Sequence, residues 1–250
     1  MKKRILSGIQ PSGRLHIGNF FGAIRQHVRL QDEGHDCFYF VANYHALTST
    51  LDREKVASST LHVVMGYLAL GIDPGRSTLF LQSDVPQVTE LTWFLNCVCP
   101  MGLLERATSY KDKVAKGFMA NVGLFDYPIL QAADITAYDA NLVPVGADQK
   151  QHLEITRDLV GKINQAFGAP LLVEPAPFIV DAVAVVPGID GQKMSKSYDN
   201  TVEIFQAAKA TQKRVMQIVT DSTPLESPKN PDACNVYALL KLFAAPEEAA

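Results

Sequence analysis

At 250 residues and 47% hydrophobic content, the chain can bury a sizeable core in one large domain or two modest ones. Its formal net charge of −3 excludes a DNA-coating protein, so any nucleic-acid contact must come from a local patch. No apolar run reaches bilayer length, and "MKKRILSGIQPSG" holds too few consecutive apolar residues for a secretory leader, which predicts a cytoplasmic protein with no membrane and no DNA partner.

Taken in order, the segments alternate between strand and helix patterns. "KRILS" (Lys3 to Ser7) reads as a short buried strand, followed by a Gly/Pro/Ser loop to Gly13. An amphipathic helix is predicted over Asn19 to Glu33, closed by Gly34. "DCFYFVAN" has the unbroken apolar character of a parallel-sheet strand. Asp52 is placed to cap a helix running to Gly71, and "STLFLQS" reads as a third strand. Helical patterns fill much of Val88 to Ala140, "NLVPV" (Asn141 to Val145) is a further strand, and a helix follows over Gln149 to Asn164. Strands separated by helices predict an α/β fold with a parallel sheet. Beyond residue 197 the pattern turns helical, over Thr201 to Val219 and again from Cys234 to Phe243. Of the four cysteines, Cys37 lies inside an apolar run, and Cys97, Cys99 and Cys234 lack zinc-finger spacing, so all four read as reduced thiols and no metal site is expected.

Neither of the familiar phosphate-binding glycine signatures, GxxxxGK[ST] and GxGxxG, is present. Two other stretches can hold phosphate. In "SGIQPSGRLHIGNF" the chain turns after the first strand and enters a helix near Ile17 or Gly18, whose free N–H groups and partial positive charge suit an anion. His16 and Asn19 lie one turn apart and can both donate to phosphate oxygens, and Gly18 lets a flat base approach. A Gly/Pro turn before a helix is also a common structural feature. The second stretch, "GQKMSKSYDN", sets two lysines and two serines around one methionine without apolar periodicity. It is either a solvated turn or a device for gripping phosphate.

Together "HIGN" (His16–Asn19) and "KMSKS" (Lys193–Ser197) resemble the two signatures of class I aminoacyl-tRNA synthetases. With "SGIQPSG", "YPILQAADI" and "VPVGADQKQHLEITRDL", the likeness extends from Ile5 to about Asp221 and is to the bacterial tryptophanyl-tRNA synthetase family. That resemblance implies a Rossmann-like, doubly wound parallel sheet over residues 1–190 with a helical insertion at roughly 88–140. Residues 191–250 then supply the "KMSKS" loop and the start of an α-helical, tRNA-binding C-terminal domain. Family members are longer at that end, so a chain stopping at "LFAAPEEAA" is read as truncated soon after the helical part begins.

The resemblance also assigns residues. His16, Asn19, Lys193 and Lys196 are the expected catalytic groups, acting on the triphosphate and the leaving pyrophosphate. Gln10, Pro11, Ser12, Gly18, Asn19, Gly146, Ala147, Asp148 and Val185 match ATP-contacting positions, together with Lys193, Met194, Ser195, Lys196 and Ser197. Asp134 matches the indole-reading aspartate, Tyr127 and Gln149 the positions that hold the α-ammonium group, and His45, Gln131, Val143 and Val145 the pocket walls. An indole needs one carboxylate acceptor in an otherwise apolar cavity, which suits Asp134 among Leu130, Ala133 and Ile135; the alternative is a carboxylate on a helix surface. For His45 the alternative is a structural histidine.

The implied reaction joins L-tryptophan to ATP, with Mg²⁺ on the phosphates, giving tryptophanyl-adenylate and pyrophosphate; the acyl group then passes to the 2′-OH at the end of tRNA(Trp). A homodimer is implied, with Trp93 to Cys99 as candidate interface. The sequence departs from the pattern at Asn19 (His in the general signature), Gln131 (Met in many members), "ANYHALT" and Ala147. The context of Cys234 resembles the first ligand of an iron–sulfur set found in a subset of the family, whose other ligands are absent here. A tyrosine-specific synthetase and a catalytically inactive synthetase-like binding module remain the alternatives.

Overall fold

The computed structural model describes residues 2–115, 117, 120–146, 149–179, 186–224, 226–228, 230–245 and 247–248. In chain order the elements are β1 (Arg4–Ile9), α1 (Ile17–Asn19), a π-helical turn (Phe20–Ile24), α2 (Arg25–Asp32), β2 (Asp36–Val41), α3 (Asn43–Ala46), α4 (Arg53–Ala69), β3 (Thr78–Leu81), α5 (Gln87–Val98), α6 (Met101–Glu105), α7 (Thr108–Ala115), α8 (Val122–Thr136), β4 (Leu142–Val145), α9 (Lys150–Phe167), β5 (Ala176–Ile179), α10 (Ala208–Val215) and α11 (Asn235–Phe243). They form two compact units, Met1–Gly13 with His27–Val180, and Arg14–Gln26 with Asp181–Ala250.

The first unit is built on a five-stranded sheet of order β3-β2-β1-β4-β5. Every pairing is parallel, with Ser7 opposite Tyr39, Val41 opposite Leu81 and Val145 opposite Ile179. The order runs outward in both directions from β1 and β4, the arrangement of a doubly wound Rossmann-like sheet, whose ligands bind beyond the carboxyl ends of the strands where the order reverses. One apolar cluster joins Leu6, Phe40, Ala42, Val143, Ile135 and Leu153; a second joins Val88, Leu95, Ile129, Leu159 and Ile163. Each fully buried Leu or Ile of this kind contributes roughly 1.5–3 kcal/mol relative to exposure.

Local signals explain most boundaries. Asp52 accepts the Lys55 N–H at 3.0 Å and starts α4, while Asn121 does the same for Leu124 at 2.8 Å and starts α8. Strand β1 runs two residues past its predicted end, because its pairing with β2 continues through Gly8 opposite Phe40 and Ile9 opposite Val41; Gly8 leaves room for the Phe40 ring, which a Cβ would meet at 2.7 Å. Strand β5 was not anticipated: Pro177 within it argues against a strand, yet at the sheet edge a missing N–H is tolerated.

The second unit has its own apolar cluster of Phe21, Val186, Met194, Val202 and Leu239. Here the helix expected from Thr201 is confined to Ala208–Val215. Residues before it extend along the opening turn instead, with Ile17 N–H donating to Val202 O at 3.0 Å and Ile204 N–H to Leu15 O at 3.1 Å. Tertiary pairing of the β-branched Val202 and Ile204 overrides helical propensity there. Among the described residues no helix is long and apolar enough to cross a membrane.

A buried histidine in the first unit carries a pH prediction. The His27 ring stacks on Tyr39 at 4.6 Å and Tyr67 at 5.9 Å, with Nε2 on Ser7 Oγ at 3.0 Å. Burial lowers its pKa from 6.5 to about 3. The folded state therefore favours neutral His27, and its stabilising effect is complete above pH 6.5 and is lost as pH falls towards 3. We predict that the Tm difference between pH 7 and pH 4.5 is smaller in His27→Phe than in the wild type; an equal difference would show that this histidine does not drive the acid sensitivity.

Candidate active site

In the first unit, loops leaving four strands supply polar groups. Gln10 follows β1, His45 follows β2, Gln82 follows β3, and Gly146 and Gln149 follow β4. They accompany α8, which carries Tyr127, Gln131 and Asp134.

Asp134 is 2% exposed and lies among apolar side chains, so a helix-surface carboxylate is ruled out. Gln82, 1% exposed, donates Nε2–H to both Asp134 oxygens at 2.9 Å, and His45 Nε2 meets Asp134 Oδ2 at 2.9 Å. The Gln82 amide cannot turn over freely, because its Oε1 accepts the Tyr44 N–H at 2.9 Å and the His45 N–H at 3.4 Å. Burial pushes the Asp134 carboxyl above the usual carboxylate range, opposed by the His45 and Gln82 hydrogen bonds. Oδ1 accepts from Gln82 alone among the described residues, leaving a lone pair for an incoming donor. Gln82 was missed from the sequence, although its position at the carboxyl end of a parallel strand was the available signal.

Beside this carboxylate runs a second polar chain. The Tyr127 hydroxyl lies 2.9 Å from His152 Nε2, and His152 Nδ1 lies 2.9 Å from Gln149 Oε1. Since an amide oxygen only accepts, His152 carries its proton on Nδ1 and receives the Tyr127 O–H on Nε2. Gln131 reaches Gln149 Oε1 only at 3.5 Å. His152 also went unnoticed in the sequence. Gln10 Nε2–H donates to the His45 carbonyl at 3.1 Å, Pro11 is buried, and Ser12 is exposed. Val143 is buried in the sheet cluster and Val145 lies in β4; Ala147, Asp148 and Val185 fall outside the described residues.

The second unit holds both signature stretches. His16 precedes α1 in extended conformation, and its N–H donates to Asn19 Oδ1 at 3.1 Å, so Asn19 keeps its amide N–H groups for other partners. The space above Gly18 is filled by the His16 ring: a Cβ there would sit 2.9 Å from His16 Nδ1, with Met194 Cβ at 3.4 Å. Met194 is buried in the apolar cluster, its N–H bonded to Val186 O at 2.9 Å, while Lys193 and Ser197 are exposed on either side. Ser195 Oγ accepts the Ser197 N–H at 3.3 Å and starts a short 3₁₀ turn at Lys196–Tyr198.

His16 lies within the field of the Lys196 charge. Burial and then the Lys196 charge lower the His16 pKa from 6.5 to about 4, so its imidazole is neutral at pH 7. Burial lowers the Lys196 pKa from 10.5 to about 8 against the opposing pull of Glu203, which itself pairs with Arg14 at 3.3 Å. The second unit thus sets a neutral imidazole and a desolvated ammonium together, a combination suited to phosphate oxygens.

Residues 1–241 match the family described as tRNA synthetases class I (W and Y). The tryptophan–tRNA ligase of Fusobacterium nucleatum is 59% identical over 239 residues, covering 95% of this chain and 73% of that protein. The tryptophan–tRNA ligase of Rhodopirellula baltica is 52% identical, covering 98% and 76%. Among solved structures, tryptophanyl-tRNA synthetase from Campylobacter jejuni, complexed with ADP and tryptophan, superposes with a TM-score of 0.91 at 52% identity, covering 98% of this chain and 76% of that one. The chain belongs to the class I tRNA synthetases for tryptophan and tyrosine, and stands with their bacterial tryptophan–tRNA ligases.

Proposed function

We propose that the chain activates L-tryptophan with ATP and transfers it to tRNA(Trp), with the side chains described above in named roles. The observation that carries this reading is the Asp134 carboxylate, buried yet held by two donors with a lone pair to spare. An acceptor inside an apolar wall pairs with the indole N–H and penalises side chains that lack it. Tyr127, its proton committed to His152, and Gln149 accept from the α-ammonium group. Gln10, Pro11, Ser12, Gly18, Asn19, Gly146, Ala147, Asp148 and Val185 are assigned to ATP.

In the first step a tryptophan carboxylate oxygen attacks the α-phosphorus; the bond to the bridging oxygen breaks and pyrophosphate departs with the electron pair. Lys193 and Lys196 neutralise charge growing on pyrophosphate, and His16 and Asn19 donate to the triphosphate. In the second step the ribose hydroxyl of tRNA takes the acyl group and AMP leaves. Mg²⁺ is assigned to the phosphates as part of the ATP substrate; among the described residues no group of three or more His, Cys, Asp or Glu side chains is placed to hold a metal ion. α10 and α11 are assigned to the beginning of a helical tRNA-binding part. A homodimer is supported by the apolar surface of α5, where Trp93 is 69% exposed and Phe94 56%. The cytoplasm is the proposed location.

Tryptophan-dependent pyrophosphate exchange tests the reading. Lys196→Ala lowers the exchange rate by about 100-fold with little change in tryptophan affinity; an unchanged rate would remove Lys196 from the mechanism. Because Lys196 is cationic only below about pH 8, kcat/KM for ATP falls as pH rises through that value, and the permanently charged Lys196→Arg lacks that alkaline limb.

Gln82→Met removes a donor that opposes the burial-driven rise of the Asp134 pKa. Discrimination between tryptophan and an analogue with sulfur in place of the indole N–H shrinks by about tenfold or more in this variant. Undiminished discrimination would show that Gln82 does not set the state of Asp134.

A further inference from the structure

The two lysines of the "KMSKS" stretch sit on a loop that needs a fixed shape, and a side chain outside the motif supplies it. Asn200 is 1% exposed and uses nearly all its hydrogen-bonding capacity on the segment around it. Its Oδ1 accepts the Ser195 N–H at 2.7 Å, and its Nδ2 donates to the Lys193 carbonyl at 3.1 Å and to Asp190 Oδ1 at 2.8 Å. Those two backbone contacts flank Met194, so the carboxamide closes a ring around the one residue of the loop that is anchored in the apolar cluster.

The turn before the loop is tied to the same side chain. Asp190 Oδ1 also accepts the Gln192 N–H at 3.0 Å, the Ile189 N–H donates to the Asn200 carbonyl at 3.0 Å, and Gly188 N–H donates to Gln192 O at 2.7 Å. Gly188 is required for this packing: a Cβ there would fall 2.3 Å from Asn200 Cγ and Nδ2. From the far side, Arg214 Nε donates to the Thr201 carbonyl at 2.8 Å and Nη2 to the Asp199 carbonyl, closing the chain behind Asn200.

We propose that Asn200 is a positioning residue for amino-acid activation: by fixing the backbone at Lys193 and Ser195 it aims the Lys193 and Lys196 ammonium groups at the phosphates. The inference rests on the reading of those lysines as phosphate-handling groups. Asn200 itself touches no substrate. Losing it lets the loop sample other conformations, so each active molecule turns over more slowly while tryptophan recognition by the first unit is untouched.

The test uses the full chain and four proteins: wild type, Asn200→Ala, Gly188→Ala and the double variant. Active-site concentration is measured by the adenylate burst, and kcat and KM for ATP by tryptophan-dependent pyrophosphate exchange. Asn200→Ala is expected to lower kcat per active site by about tenfold or more, with the tryptophan dissociation constant unchanged. Gly188→Ala, which displaces the Asn200 carboxamide without removing a polar group, gives a similar loss. The double variant is slower than Asn200→Ala by less than Gly188→Ala slows the wild type, because the Cγ and Nδ2 contacts are already gone and only the contact to Cβ at 2.8 Å remains. A purely structural Asn200 lowers the fraction of active molecules but leaves kcat per active site at the wild-type value, and that result overturns the proposal. Should Asn200→Ala fail to fold, Gly188→Ala carries the test with the same two outcomes. Lys193→Ala and Lys196→Ala run alongside: wild-type exchange in both defeats the underlying reading, whereas impaired lysine variants with an unimpaired Asn200→Ala defeat this inference alone.

Discussion

A carboxyl group kept out of water, Asp134, is the constraint on which the proposed tryptophan specificity depends. Burial alone drives Asp134 toward its neutral, proton-carrying form, which would donate where the proposed chemistry needs an acceptor. Gln82 and His45 oppose that drift from two directions. Both donors sit where strands of the parallel sheet end, so the sheet order is a precondition for the charge state of one side chain on α8. The amide of Gln82 is oriented by backbone N–H groups of α3, and this second layer makes the donor reliable.

The second unit uses the same physics with opposite charge. Here the buried groups are bases, and burial pulls both His16 and Lys196 down. The imidazole becomes neutral at physiological pH, with Nδ1 buried and unpaired among the described residues. The ammonium remains mostly charged yet poorly solvated, so the attraction to phosphate proposed for it would be less weakened by water. Outside the signature, Glu203 opposes the lowering of the Lys196 pKa, and Asn200 holds the backbone at Lys193 and Ser195.

Much of this was legible in the sequence because its physical causes are local. Alternating apolar and helical segments, the Asp52 cap and the Gly34 and Gly71 terminators follow from rules that act over a few residues. The signature stretches were legible because both motifs are short and particular. What was not legible depends on contacts far along the chain. Gln82 lies 52 residues from Asp134, and nothing local marks it as a donor to a buried carboxylate. The extended path of Val202 to Ile204 is set by pairing with residues near His16, against a segment pattern that reads as helix. Strand β5 is masked by Pro177, whose missing N–H its edge position tolerates. The role of His152 likewise emerges only when α8 and α9 are packed together.

We propose that this chain activates tryptophan and that the buried Asp134 receives its indole N–H. Pyrophosphate exchange by the unmodified protein, run in parallel with L-tryptophan and with L-tyrosine at saturating ATP, tests it most directly. Exchange that depends on tryptophan and is negligible with tyrosine is the predicted result. Exchange supported by tyrosine, or by neither amino acid, would contradict the account.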